Sequence, residues 1–130
     1  MSAARMTVNW DEDWPDLPGY DAIVKTFGDI LAKAEDNDYQ GDSLYLIKSE
    51  QYGIVTFGWG SCSGCDALQA VDRQADLDRL QDDIERGITW YPTLETAQQH
   101  VANMASDERP TYLSDELVAE FKTAVAGLAR

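Results

Sequence analysis

Two apolar runs separated by a three-residue connection constrain this chain most. Ser43 to Ser49 (SLYLIKS) and Gly53 to Gly60 (GIVTFGWG) are rich in β-branched and aromatic residues, and only Glu50, Gln51 and Tyr52 lie between them. Runs of that composition flanking so short a link predict an antiparallel hairpin. The second run continues through SCSGCDALQAV, so residues 52 to 71 read as a buried strand (Ile54, Val55, Phe57, Trp59), a tight loop with Gly58, Gly60 and Gly64, and the opening of a short helix. Cys62 and Cys65 sit in that loop.

The remaining elements follow from periodicity and punctuation. From Tyr20 to about Glu35, Ile23, Val24, Phe27, Ile30, Leu31 and Ala34 recur at helical spacing and predict a first helix. EDNDYQGD, residues 35 to 42, has the composition of a turn. Residues 74 to 87 form a second helical pattern, with Leu77, Leu80 and Ile84 on one face, the acids largely off it, and Gly87 as its stop. ITWY at 88 to 91 predicts a third short strand, and Thr93 an N-cap for a helix that buries Leu94, Ala97, Val101 and Met104. A last helix begins at Ser114, carries Asp115 and Glu116 where its dipole favours them, and shows a stripe of Leu117, Val118, Phe121, Val125 and Leu128.

Ahead of these, residues 1 to 19 contain a short strand pattern, Met6 to Trp10, and then the proline-broken DEDWPDLPG. They predict an edge strand or an acidic arm with Trp10 and Trp14 laid on the body, since two aromatics are costly to leave in water. The expected architecture is α+β: a small antiparallel sheet, the hairpin plus a third short strand, packed against about four helices. Residues 20–130 form a single domain, in keeping with the size of most domains.

Charge limits the partners. Twenty-four Asp and Glu against ten Lys and Arg give a formal net charge of −14. That balance argues against direct binding to nucleic acid or to anionic membranes, which reward a basic face, and it speeds encounter with a basic partner. The apolar runs fall far short of the roughly 20 residues that span a bilayer. No apolar stretch follows the N-terminus as a secretory signal requires. A cytoplasmic setting is expected, where two cysteines remain thiols.

Several motifs carry chemistry in principle. A strand delivering Cys62-x-x-Cys65 to the start of a helix resembles thioredoxin-like proteins, and YPTL at 91 to 94 resembles the proline segment that faces their thiols. Only 26 residues separate Cys65 from Pro92, however, with no strand-helix unit among them, and Asp66 opposes a lowered thiol pKa. A zinc site is the second use of the pair, but it needs four ligands, and the single histidine, His100, with a carboxylate or a second subunit would have to complete it. The third reading is that both cysteines pack a glycine turn. Asp36, Asp38, Gln40, Gly41 and Asp42 match the opening of a calcium loop, yet its twelfth position, where a bidentate Glu belongs, is Ile47. The loop glycines fit neither a dinucleotide nor a phosphate-binding fingerprint. Ser61 and Ser63 have no base near them in sequence, so nothing selects a hydrolase.

The acids then become the main candidates. Asp76, Asp78, Asp82, Asp83 and Glu85 on one helix, with Asp11, Glu12 and Asp13 on the arm, supply a row of carboxylates, and Trp14, Trp59 or Trp90 an apolar anchor. Such a row approaches the charge spacing of a duplex. The alternative is a solvated helix face. The segment from Tyr39 to Ala70, YQGDSLYLIKSEQYGIVTFGWGSCSGCDALQA, with ITWYPTLE more loosely, resembles small acidic proteins of bacteriophages and actinobacterial mobile elements. That resemblance implies an accessory protein acting on a host protein, as defence inhibitors do, and implies no catalytic residue. The expectation is therefore a non-enzymatic protein that binds a basic surface of a host nucleic-acid-handling or defence protein, without a cofactor. A thiol-redox or zinc-binding protein built on Cys62 and Cys65 is the alternative.

Overall fold

The computed structural model describes residues 5–11, 17–36, 41–60, 68–104 and 115–128. Within them the order is α1 (Tyr20–Lys25), β1 (Asp29–Glu35), β2 (Gly41–Lys48), β3 (Tyr52–Trp59), α2 (Gln74–Arg86), β4 (Thr89–Tyr91), α3 (Leu94–Ala102) and α4 (Asp115–Ala126). The four strands form one antiparallel sheet in sequential order, β1-β2-β3-β4. The class is α+β, as the hairpin and the helical stripes imply.

The hairpin pairs in the expected way. Lys48 lies opposite Tyr52, and the ladder runs unbroken to Gly41 opposite Trp59. β2 is central and buried from Asp42 to Ile47, which explains its continuous apolar run: a strand covered on both faces has no reason to alternate. Its residues divide between two cores. Leu44 and Leu46 pack with Ala32, Ala34, Ile54 and the helices α3 and α4, chiefly Ala97, Val101, Leu117, Val118, Phe121 and Val125. Tyr45 and Ile47 pack on the other side with Val55, Val71, Ile88, α1 through Ile23 and Val24, and α2 through Leu77, Leu80 and Ile84. The sheet is thus the middle layer of three.

Two sequence expectations change. The helix foreseen over 20 to 35 ends at Lys25, and Asp29–Glu35 is instead an edge strand. A side chain at Gly28 would lie 2.7 Å from the Lys48 carbonyl oxygen, so the chain there turns in close contact with β2. The register then slips between Ile30 and Ala32, a bulge at Leu31. The strand foreseen over Met6 to Trp10 is likewise not part of the sheet. Residues 5–11 form an arm tied to α2: the Met6 N–H donates to Gln81 Oε1 at 3.1 Å, the Met6 carbonyl accepts from Gln74 Nε2 at 2.6 Å, and Trp10 Nε1 donates to Gln74 Oε1 at 3.0 Å. Gln81 is 1% exposed and also donates to Thr26 Oγ1, so one buried amide joins arm, α2 and α1.

On the opposite side, α3 begins with a reciprocal cap in which the Thr93 hydroxyl accepts from the Thr96 N–H and the Thr96 hydroxyl accepts from the Thr93 N–H. Gln98 closes the end of α4 by donating to the carbonyls of Val125 and Leu128, both at 3.1 Å.

Candidate functional site

The acids of α2 lie where the helical pattern puts them, off the buried face, but they are not bare. Asp76 faces Arg73 and Arg79, Asp82 pairs with Arg5 at 2.7 Å, Asp83 pairs with Arg86, and Asp78 accepts from Gln74. Four of the ten basic residues of the chain, Arg5, Arg73, Arg79 and Arg86, gather on this helix and its arm. Much of the row is locally neutralised. Glu85 is half-buried, and Asp11 is exposed on the arm, where its N–H donates to Asn9 Oδ1. Glu12, Asp13, Trp14, Cys62 and Cys65 lie outside the described residues, as do Asp38, Gln40, Ser61, Ser63 and Asp66.

Less balanced charge collects at the end of the sheet where β1 and β3 finish and β2 starts. Lys33 Nζ contacts Asp21 Oδ1 at 2.9 Å and Glu35 Oε2 at 3.3 Å. The Tyr45 hydroxyl donates to the same Asp21 oxygen at 2.5 Å. Ser43 Oγ donates to Glu35 at 3.3 Å and accepts from Trp59 Nε1 at 3.0 Å. This chain of contacts crosses β1, β2 and β3 because Lys33 is opposite Tyr45, Glu35 opposite Ser43, and Ser43 opposite Phe57. Next in register, the Asp36 N–H donates to the Asp42 carbonyl and the Asp42 N–H to Asp36 Oδ2 at 2.9 Å. Asp21 and Glu35 are thereby held around Lys33, while Asp36 and Asp42 are joined to each other by hydrogen bonds at the next position of the ladder.

They are held under opposite conditions. Burial pushes the Asp21 carboxyl up, but the hydrogen bonds from Tyr45 and Lys33 outweigh it and keep the group below its usual range. The Tyr45 phenol is driven well above its own, first by burial and then by the adjacent Asp21. Lys33 loses some basicity to burial and regains more from Asp21 and Glu35. Asp42 has no such support among the described residues. It is 8% exposed, and burial together with the negative charge of Asp36 pushes its carboxyl up. It rests against β3, where a side chain on Gly58 would lie 3.2 Å from Asp42 Oδ1.

Phe57 links this end to a cleft. Its ring lies 4.8 Å from that of Tyr20 and 5.6 Å from that of Tyr45, centre to centre. Tyr20, Val55, Phe57 and Gly58 on one side and Leu80, Asp83, Ile84 and Gly87 on the other enclose about 200 Å³ between β3 and α2. The Tyr20 hydroxyl accepts from the Leu68 N–H, and Gln69 Nε2 donates to the Gly60 carbonyl at 2.6 Å, which ties together the chain on the two sides of 61–67. The opposite end of the sheet has the other sign, a hollow lined by Lys25, Thr26, Gly28, Asp29 and Lys48.

The site residues singled out from sequence are therefore divided. Asp83 and Trp59 fall at the cleft and at the acidic end, the other α2 acids on the outer surface, and Trp90 on β4, where it is 38% exposed. Sequence reasoning missed Asp21, Glu35 and Tyr45. Glu35 and Asp21 were absorbed into a long helix, and only knowledge of β1 reveals that they meet across strands. The calcium-loop pattern did point to Asp36 and Asp42, which are neighbours, while Ile47 is fully buried in β2. Among the described residues no three His, Cys, Asp or Glu side chains are grouped to hold a metal ion. His100 stacks on Tyr91 with ring centres 5.2 Å apart. No helix among the described residues is long and apolar enough to cross a membrane.

Comparison with known protein families, with curated proteins and with solved structures finds no match.

Proposed function

We propose that the protein is a non-enzymatic binding module that captures a basic segment of another protein at the acidic end of its sheet. The observation that carries this reading is Asp42, a carboxyl kept nearly out of water beside the carboxyl of Asp36, with no cation facing Asp42 among the described residues. Such an arrangement lowers the stability of the fold, and perturbed carboxylates concentrate where a partner supplies what is missing. An incoming lysine or arginine would supply it. On the other face of the sheet, Tyr20, Phe57 and Trp59 lie near Asp21 and Glu35 and give apolar surface for the stem of a further basic side chain of the same segment. The likeness of residues 39 to 70 to phage proteins would make the partner a host protein. Direct nucleic-acid binding is disfavoured by the charge of −14.

The test is a salt titration of the complex with a partner captured from host lysate and then purified. The affinity is expected to fall steeply as salt rises, and Asp36→Asn with Asp42→Asn to weaken binding more than Asp76→Asn with Asp78→Asn, because the latter pair lies among arginines. A complex indifferent to salt and to all four changes would refute the reading.

A further inference from the structure

β3 is longer than the strand beside it. All of Tyr52–Trp59 pairs with β2, but β4 covers only Tyr52, Gly53 and Ile54. In an antiparallel ladder the backbone N–H and C=O groups point to the two sides by turns. Among the described residues, those groups of 55–59 that point away from β2 face no strand, and no turn or loop backbone bond takes them up. Unpaired edges of this kind add strands from other chains.

This edge borders the cleft. Val55, Phe57 and Gly58 contribute one wall, and Leu80, Asp83, Ile84 and Gly87 stand opposite. We propose that residues 55–59 accept an extended basic segment of a partner protein as an added strand, with one arginine or lysine side chain entering the cleft. Its apolar stem would lie on Phe57, Leu80 and Ile84, and its charged head would meet Asp83. Asp83 already holds a guanidinium, that of Arg86, whose side chain is 70% exposed. An incoming arginine exchanges that solvated pair for one at the mouth of an apolar cleft. A second copy of this chain is disfavoured as occupant, because each copy carries a net charge of −14. The inference rests on the basic-partner reading and specifies how the segment is held.

The test compares two peptides on the intact protein. One alternates arginine and valine. The other has the same sequence with methylated backbone nitrogens, so it keeps charge and side chains but has lost its donors. The first is expected to bind about tenfold more tightly or better, the equivalent of one or two backbone hydrogen bonds. Gly87→Leu should remove the advantage by filling the cleft. Gly87 has φ of −83°, which any residue adopts, and a side chain there would lie 3.7 Å from Val55 Cγ2. Thermal melting checks that this variant folds, and the peptide comparison on the unaltered protein stands if it does not. Equal affinity for both peptides would overturn strand addition and leave the basic-partner reading in place. Binding of neither peptide at low salt would overturn both. Dimerisation through residues 55–59 in the absence of peptide would also overturn the proposal.

Discussion

The two faces of the sheet are built to different ends. On the α3 and α4 side, small and branched residues of β1, β2 and β3 meet Phe121, Leu117, Val101 and Val125, with Thr56 and, at the end of β2, Asp42 as the polar residues in line with Leu44, and both helices have side-chain hydrogen bonds at their ends. On the α1 and α2 side, the same three strands present Lys33, Glu35, Ser43, Tyr45, Phe57 and Trp59, joined by hydrogen bonds and leading to an open cleft. A dry face can stabilise but has little to offer a partner. A face whose polar groups are joined in a network beside an open cleft can do both.

Substitutions that separate the faces should follow that division. Phe121→Ala, on the dry face, is expected to lower stability by about 3–5 kcal/mol, with the peptide affinity of the remaining folded molecules unchanged; chemical denaturation and titration measure the two. Tyr45→Phe removes the donor that holds Asp21 and should cost about 1–3 kcal/mol. It should also return the Asp21 carboxyl toward its ordinary range in an NMR pH titration. Asp42→Asn is expected to raise stability at neutral pH by about 1 kcal/mol. The smallest effect belongs to Thr56→Val. Thr56 lies opposite Leu44, and its hydroxyl is buried without a hydrogen-bond partner. The change should stabilise by about 0.5–1 kcal/mol, read by chemical denaturation.

The pH dependence distinguishes the carboxylates further. Asp42 has a raised folded-state pKa, so the native state holds its proton more firmly than the unfolded chain does. Its effect is to make stability fall as pH rises from the ordinary carboxylate range through that raised value, and the gain from Asp42→Asn should vanish below that window. Asp21 behaves in the opposite sense. Its lowered pKa contributes stability that is present above the ordinary value and is lost as pH falls through the folded one. Asp21→Asn should therefore destabilise at neutral pH and be nearly silent in acid.

Much of this scaffold is legible in the chain. The hairpin, α2 with its Leu77, Leu80 and Ile84 face, the short β4, the Thr93 cap and the α4 stripe all depend on local patterns that tertiary contacts do not overrule. β1 is different. The bulge at Leu31 places Leu31 with Ala32 and Ala34 on the α4 side while Ile30 joins the opposite core. Alternation is thereby broken, and Ile23, Val24, Phe27, Ile30, Leu31 and Ala34 imitate a helical stripe. The acidic end depends on that strand, so its cross-strand contacts were hidden with it. The α2 acids were visible as a row, but the arginines that answer them, Arg5 above all, come from positions whose proximity only the fold supplies.

Strand addition depends on the free edge of β3, and amide hydrogen exchange reads that edge without any ligand. In the isolated protein, residues 52–54 should be protected throughout, whereas among 55–59 protected amides facing β2 should alternate with fast-exchanging amides facing outward. Uniform slow exchange across 55–59 would mean that the edge is already occupied, and strand addition at this site would be excluded.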